Sequence, residues 1–290
     1  MTAFALYIVS HLDASDAAKR EARLAVHNEQ LDNWLANTEL PIFVVAMNYD
    51  EADKRLDPRI TYLDRPSLPT AAARRVAFEH FYASDTAWMI MADNDSWLYS
   101  AAQHNSGYQL FSEMAQQLDR YTGVGVFFPI NPQKSPFTEL LADDAHTHNH
   151  VFKTAMDLKG SLFCVRNFRL AGEALLWPDT SFTWCEDGKL AFDAVALGHR
   201  VMRCENIVLL EKGLASSSYA GVAVDRKPMM REANQRIAAQ YHSTGLEMQT
   251  GSGSHLLDYD KWVKRNLQGG RTVMVPKSVA ASNADGLWQW

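Results

Sequence analysis

Short apolar runs alternate with stretches of helical periodicity along the first hundred residues. Apolar residues at helical spacing predict helices over residues 17–37 and 70–83, the second with Thr70 as its N-cap. Apolar runs predict buried strands at residues 3–10, 42–47, 60–63 and 87–92. Because strands that alternate with helices form parallel sheets covered by helices, we predict an α/β fold. It has a Rossmann-like, mostly parallel central sheet with helices on both faces.

The alternation continues less regularly toward the C-terminus. Further strands are predicted at residues 124–129, 162–166 and 201–210. Further helices are predicted at residues 107–121, 187–197, 228–241 and 257–267. The sequence contains neither internal repeats nor a Pro- or Gly-rich domain linker. We therefore predict one α/β domain over residues 1–213, with residues 214–290 as a C-terminal helical extension packed on it.

Composition narrows the class of protein. The 290 residues are 47% hydrophobic and 21% charged, which are globular proportions. Three cysteines make neither a disulfide framework nor a zinc pattern, which favours a reducing, cytoplasmic compartment. The apolar stretch at residues 3–9 is too short for a signal peptide or a membrane span, so no membrane contact is expected.

Charge is spread unevenly along the chain. The net charge is −6, but residues 1–150 carry 11 basic and 20 acidic side chains, whereas residues 151–290 carry 17 and 14. The whole chain is therefore not an obvious polyanion binder, although its second half could still present a local basic face.

Asp93-Asn94-Asp95 follows directly on the predicted strand at residues 87–92. Ligands of open α/β sheets bind beyond the carboxyl ends of the strands, and two carboxylates placed there can share Mg²⁺ or Mn²⁺. An Asp/Asn-rich turn without a function is the common alternative. The position after a buried strand makes a metal site a hypothesis of comparable weight.

Two further motifs could carry chemistry. Arg74 and Arg75 follow three alanines on a predicted helix, and a guanidinium matches the geometry of a diphosphate. Glu186 and Asp187 open another predicted helix, where a carboxylate could act as a general base. Taken singly, the first motif is typical of an ordinary surface helix and the second of an N-cap.

In this order and spacing, the three motifs resemble those of glycosyltransferases with the GT-A fold. Ala73-Arg74-Arg75 is similar to the family's ARN helix, with Arg75 in place of the usual Asn. Asp93-Asn94-Asp95 is similar to its D-x-D motif, and Cys185-Glu186-Asp187 to the x-E-D motif about a hundred residues later. The resemblance spans residues 3–212. It implies a GT-A-like domain in which residues 1–100 bind the nucleotide-sugar and residues 101–213 form the acceptor half.

The resemblance also implies how a donor would be held. Asp95 would bind a divalent metal, Mn²⁺ or Mg²⁺, that bridges the donor diphosphate, with Asp93 near the ribose or the metal. The expected donor is a UDP-sugar. Its nucleotide-sugar pocket would be formed by side chains from several strand ends and helices: Ser10, Asn48, Asp50, Arg74, Arg75, Asp93 and Lys212.

On the acceptor side, Asp187 or Glu186 would face the acceptor hydroxyl, and in inverting family members this acid is the general base. One departure concerns the metal. Many metal-dependent members supply a third ligand, often His, near the end of the core, where this chain reads Glu211-Lys212-Gly213. Lys212 could replace a metal's positive charge, or Glu211 could bind the metal.

Basic side chains on two predicted C-terminal helices suggest an acceptor. Compact GT-A-like enzymes of phages glycosylate hydroxymethylated pyrimidines in DNA, and double-stranded DNA carrying such bases is the acceptor we expect. Its phosphates would contact Arg226, Lys227, Lys264 and Arg265. Two amphipathic surface helices would produce the same pattern, and the net negative charge of the chain argues mildly against DNA. A glycan, a protein or a small molecule is the alternative acceptor.

Two other classes of function stay open. A nucleotidyltransferase would use a related fold, but the glycine-rich loop that usually follows its first strand is replaced here by Ser10-His11-Leu12-Asp13. A nucleotide- or nucleic-acid-binding module with a degenerate site would need neither Asp95 nor Asp187. In each case the expected location is the cytoplasm, or the host cytoplasm for a phage protein.

Overall fold

The protein forms an α/β fold around one large sheet. A computed structural model describes residues 4–12, 16–100, 123–130, 152–154, 158, 160–211 and 226–241. The helices are α1 (Ala17–Asn37), α2 (Thr70–Ala83), α3 (Glu186–Ala196) and α4 (Arg226–Tyr241). The strands are β1 (Phe4–His11), β2 (Ile42–Met47), β3 (Ile60–Arg65), β4 (Trp88–Asp93), β5 (Ser96–Ser100), β6 (Val124–Ile130), β7 (Phe152–Thr154), β8 (Leu162–Arg166) and β9 (Arg200–Glu211).

The described sheet has nine strands, with β7 paired to β9 and the other eight in the order β3-β2-β1-β4-β8-β6-β9-β5. Six strands (β1, β2, β3, β4, β6 and β9) run in one direction, and β5, β7 and β8 run in the other. The predicted mostly parallel sheet is therefore confirmed. The parallel block β3-β2-β1-β4 brings the carboxyl ends of its strands to a single edge of the sheet.

Helices cover both faces of the sheet, as predicted. On one face α1 contributes Leu31, Trp34 and Leu35 to a core with alternate residues of β1, β2 and β4. On the other face α2, α3 and α4 contribute to a second core, together with the intervening residues of these strands and residues of β6, β8 and β9. Because β1 is buried on both faces, it reads as an unbroken apolar run rather than an alternating pattern.

The predicted boundaries agree closely with the structure where apolar residues dominate. Those of α1, β2, α2 and β8 coincide with the predictions. Pro69, not Thr70, is the N-cap of α2, because the proline precedes the helix in an extended conformation and Thr70 is already helical. The predicted helices at residues 107–121 and 257–267 lie outside the described residues, and nothing tests the domain boundary at residue 213.

Two described strands were not predicted. β5 begins one turn after β4, where the sequence Asp93-Asn94-Asp95 reads as the start of a loop. β7 is only three residues long and pairs with β9. Among the residues that the structure describes, none of the helices is both long and apolar enough to cross a bilayer.

Candidate functional site

The candidate site lies where β1, β2 and β4 end. Asp93 is the last residue of β4 and is paired in register with Val9 of β1. Ser10 pairs with Ala46 of β2 at the same level. The sheet therefore brings the first predicted motif together with the residues expected to line a nucleotide pocket.

Hydrogen bonds from α1 and to Ser161 hold the turn Asn94-Asp95 in place. The buried Gln30 donates from Nε2 to the carbonyl oxygens of Asp93 (2.5 Å) and Ser96 (3.0 Å). The carbonyl of Ser161 accepts from the Asp93 amide at 2.8 Å and from Ser96 Oγ at 2.9 Å. Four hydrogen bonds thus fix the backbone that carries both predicted metal ligands. Gln30 was not predicted from the sequence, although a glutamine on the apolar face of a helix indicates a buried hydrogen-bonding role.

Ser10 supports this turn from inside the fold. Its side chain is fully buried, and Oγ accepts from Asn94 Nδ2 at 2.8 Å and lies 2.6 Å from Tyr49 Oη. Burial raises the pKa of the Tyr49 phenol, so the hydroxyl stays protonated. The hydrogen bonds connect the ends of β1, β2 and β4. The predicted contact between Ser10 and a nucleotide stays a prediction.

Asn48 adopts a left-handed conformation directly after β2, with φ 60°. Asparagine tolerates this region better than most residues do. Its Nδ2 donates to the Leu12 carbonyl at 3.2 Å, and its own carbonyl accepts from Arg20 Nη1 at 2.8 Å. Arg20 also pairs with Asp50 at 3.0 Å and with Asp53. Arg20, which the sequence did not single out, therefore already engages the exposed carboxylate predicted to face the nucleotide.

The side chain of Arg74 joins the two predicted halves of the site. Its Nη2 donates to Asp93 Oδ1 at 3.1 Å and to the Gly160 carbonyl at 2.7 Å, and its Nη1 donates to Glu186 Oε1 at 2.6 Å. Only 4% of the Arg74 side chain is exposed. A Cβ on Gly160 would lie 2.7 Å from Arg74 Nη2, so glycine leaves the space that the guanidinium fills. The D-x-D and x-E-D motifs thus meet around one buried cation.

The two carboxylates at the start of α3 are held differently. Asp187 Oδ2 accepts from the Gly160 amide at 2.9 Å, and its Oδ1 accepts from the Gly188 amide at 2.8 Å. Glu186 contacts Arg74 instead. The preceding Cys185 is left-handed, with φ 59°, a conformation that costs a non-glycine residue on the order of 1–3 kcal/mol. This strained turn directs Glu186 and Asp187 toward the end of β4.

Negative charge exceeds positive charge in the cluster formed by Arg74, Asp93, Glu186 and Asp187, which we call the Arg74 cluster. Three carboxylates surround one guanidinium, and burial raises the pKa of Glu186 to about 7, helped by Asp187 and Asp93 and opposed by Arg74. The same carboxylates raise the pKa of Arg74 despite its burial. A cluster that favours protonation of one of its acids would also be stabilised by an added cation.

The donor set suits a hard cation that completes its shell with phosphate oxygens. Within the described part of the chain, groups of three or more His, Cys, Asp or Glu able to hold a metal ion are absent. Asp93 and Asp95 still offer two carboxylates at a strand end, and Mg²⁺ typically takes only one or two from the protein when phosphates supply the rest. The residues therefore fit a metal bound together with a nucleotide better than a metal bound alone.

The remaining predicted site residues either lie away from Arg74 or are not described. Arg75 stacks on the Trp177 ring, 3.7 Å from its centroid, and pairs with Glu79 at 3.0 Å, so the structure does not bring it to the Arg74 cluster. Arg226 and Lys227 begin α4, but their side chains are not among those described. Lys212, Lys264 and Arg265 lie outside the described residues. Their predicted contacts stay predictions.

Comparisons with known proteins give structural likeness only. Neither a protein-family model nor a curated protein sequence matches the chain. A crystal structure of S. aureus TarS is 12% identical with a TM-score of 0.48, covering 85% of this chain, which spans 41% of that TarS chain. TarS 1–349 in complex with UDP is 11% identical with a TM-score of 0.48, covering 94% of this chain and 74% of its own.

A third solved structure is described as a putative nucleotide-diphospho-sugar transferase from Desulfovibrio desulfuricans G20. It is 10% identical with a TM-score of 0.44, and the likeness covers 83% of this chain and 99% of that one.

The raised pKa of Glu186 predicts a pH-dependent stability. Between its ordinary value of 4.5 and about 7, the folded state binds more protons than the unfolded state, so the free energy of unfolding falls as pH rises through this window. We expect Glu186→Gln to remove this loss, making the variant more stable relative to wild type at pH 8 than at pH 5 by about 1–3 kcal/mol. Urea unfolding at both pH values measures it. Glu79→Gln removes an exposed carboxylate and is the control. If Glu79→Gln gained as much stability relative to wild type at pH 8 as Glu186→Gln, the effect would not come from Glu186.

Arg74 and its neighbour Arg75 form a matched pair for mutation. Arg74→Met leaves Asp93 and Glu186 without their buried counter-charge, and we expect a loss of about 3–5 kcal/mol in the free energy of unfolding at pH 7.5. Arg75→Met should cost about 1 kcal/mol or less, since Arg75 is partly exposed to solvent and its ion-pair partner Glu79 is exposed. Arg74→Lys keeps the charge without the guanidinium fork and should fall between them. Equal losses for the two methionine variants in urea unfolding would contradict the central role of Arg74.

Proposed function

We propose that this protein is a glycosyltransferase that moves a sugar from a nucleotide-sugar, a UDP-sugar first among the donors to test, to an acceptor hydroxyl. One observation carries the proposal. Asp93 at the end of β4 and Glu186 at the start of α3 share the buried Arg74 guanidinium. A carboxylate that could hold the metal ion of a diphosphate and a carboxylate that could take the acceptor proton therefore lie on either side of one residue.

On the donor side, the chain presents a rigid turn. Asp93 and Asp95 would hold Mg²⁺ or Mn²⁺, which when bound neutralises the diphosphate leaving group. Gln30 and Ser161 fix the backbone of this turn, so its carboxylates need not reorganise when the donor arrives. Asn48 and Asp50, beyond the end of β2, are the residues we assign to the nucleoside.

On the acceptor side, Glu186 and Asp187 are the two candidate bases. The pKa of Glu186, raised to about 7 by burial, suits a group that must accept a proton near neutral pH. Asp187 is oriented by two backbone amides. In the transfer, the acceptor oxygen forms a bond to the sugar C1 and its proton passes to one of these carboxylates. The bond from C1 to the phosphate oxygen breaks, and its electrons leave with the diphosphate.

A hydroxymethylated pyrimidine in DNA is the acceptor we propose to test first. The observation in its favour is the position of α4, which begins with Arg226 and Lys227. One turn later, Met229 contacts Trp184, two residues before Glu186. The first turn of α4 therefore lies beside the segment that leads to Glu186, where the phosphate backbone of a DNA acceptor would approach in this proposal.

Thermal unfolding against UDP-, GDP-, CDP- and TDP-sugars, each with and without Mn²⁺, tests the donor. A ligand at a hundredfold excess over its Kd adds about 2.7 kcal/mol to the free energy of unfolding, so the true donor should raise the Tm clearly. Asp93→Asn and Asp95→Asn should lose the Mn²⁺-dependent part of the shift. Asp187→Asn should keep the shift and lose turnover. Asp85→Asn, which removes an exposed carboxylate just before the start of β4, at the other end of the strand from Asp93, is the control.

Absence of a shift with every nucleotide-sugar in the wild-type protein would contradict the transferase. A shift without Mn²⁺ dependence would keep the transferase and assign the diphosphate to basic side chains such as Arg74 and Lys212.

The DNA acceptor predicts a separation of effects. Replacing Lys264 and Arg265, or Arg226 and Lys227, with alanine should weaken transfer to hydroxymethylated DNA and make it less sensitive to salt. Hydrolysis of the donor by water should be unchanged, because these residues are remote from the diphosphate in this proposal. Transfer rates of the wild type and the two double variants at 50 and 200 mM salt measure both effects. Transfer to hydroxymethylated DNA at the wild-type rate by both double variants would remove the support for DNA.

A further inference from the structure

Residues 179–185 lead directly into Glu186 and Asp187, and we call them the acceptor-side segment. The segment ends at the left-handed Cys185, which serves as the N-cap of α3 without a side-chain hydrogen bond. A strained turn of this kind persists only where its surroundings hold it. The direction in which both carboxylates point therefore depends on what the segment packs against.

Helix α4 contacts the segment at three points. Arg236 donates from Nη1 to the Ser181 carbonyl at 3.1 Å and from Nη2 to Ser181 Oγ at 3.0 Å. Its guanidinium carbon also lies 4.2 Å from the centroid of the Phe182 ring. At the other end, Trp184 Nε1 donates to Met229 Sδ at 3.2 Å. The helix thus holds both ends of the four residues 181–184.

The opposite side of the segment is tied to α3. Asp179 accepts from the Ser181 amide at 2.9 Å and from Ser181 Oγ at 2.7 Å. The buried Lys189 of α3 lies 3.9 Å from the Asp179 carboxylate and is bonded to Asp193 at 2.6 Å. Ser181 is therefore shared between an acid that belongs to α3's network and an arginine that belongs to α4.

We propose that Arg236 is a positioning residue of the acceptor side, acting through Ser181 and Phe182 on Glu186 and Asp187. This inference rests on the transferase proposed above. The Arg236 guanidinium donates two directional hydrogen bonds to Ser181 and stacks on the Phe182 ring. This arrangement fixes the orientation of residues 181 and 182 as well as their distance from α4. It follows that Arg236, on a helix beyond the domain boundary predicted at residue 213, supports the geometry of the acceptor side. Arg236→Ala should then impair transfer while leaving the donor side intact.

Hydrogen exchange tests the positioning without any substrate. Arg236→Ala should speed amide exchange in a peptide covering residues 181–189 by about tenfold, while peptides from β1 and β4 keep wild-type rates. Arg231→Ala removes an exposed arginine from the same helix and should leave residues 181–189 unchanged. Ile237→Val trims the buried face of α4 without removing a bond to the segment, and controls for weaker helix packing.

Kinetics supply the second readout. With the nucleotide-sugar that gives the largest thermal shift, Arg236→Ala should lower kcat about tenfold or more and leave the Kd for UDP with Mn²⁺ unchanged, since misplacement of a reacting group by about 1 Å is enough for such a loss. Arg236→Lys, which keeps a donor for the Ser181 carbonyl, should recover part of kcat.

Unchanged exchange in Arg236→Ala, or faster exchange with a wild-type kcat, would overturn the proposal. Exchange as fast in Ile237→Val as in Arg236→Ala would also overturn it, since general packing would then explain the effect. If the wild-type protein turned over none of the nucleotide-sugars, the proposed function would fail. The exchange data would still decide whether Arg236 orders residues 181–189.

Discussion

A single buried guanidinium holds the candidate site together. Arg74 projects from α2, where the buried residues on either side of it are small, Ala71, Ala73 and Ala77, whereas the C-terminal part of the helix buries Phe78, Phe81 and Tyr82. The short side chains around Arg74 leave room for its guanidinium to be buried where β4 ends. Gly160 leaves the space that the guanidinium needs. Removing an arginine from this position would leave carboxylates with no compensating charge in a region of low dielectric.

The balance of charges around Arg74 affects the protonation of the nearby carboxylates. Burial raises the pKa of Glu186, and the neighbouring carboxylates of Asp187 and Asp93 raise it further, against the opposing effect of Arg74. A metal and diphosphate arriving at the end of β4 would change that balance, and the acids at the start of α3 would respond to it. The hydrogen-bonded turn after β4 holds Asp93 and Asp95 in place, and the left-handed turn before α3 holds Glu186 and Asp187 in place.

Residues that are distant in sequence hold the segment that leads to Glu186 and Asp187. Glu186 and Asp187 follow a segment that is held by Lys189 of α3 on one side and by Arg236 of α4 on the other. A helix outside the central sheet therefore contributes to the geometry of groups at its edge. The sheet and the turn after β4 therefore position Asp93 and Asp95, whereas α3 and α4 hold the segment that leads to Glu186 and Asp187.

The sequence by itself determined the α/β class, the boundaries of α1, β2, α2 and β8, and the position of Asp93 at a strand end. Hydrophobic periodicity is local, so it can be read along the chain. Only the tertiary structure decided the pairing of Arg74 with Glu186, the support of the turn by Gln30, and the contact of Arg236 with Ser181. These partners are 55 to 112 residues apart. A hydrogen bond depends on position in space, which local sequence pattern does not encode.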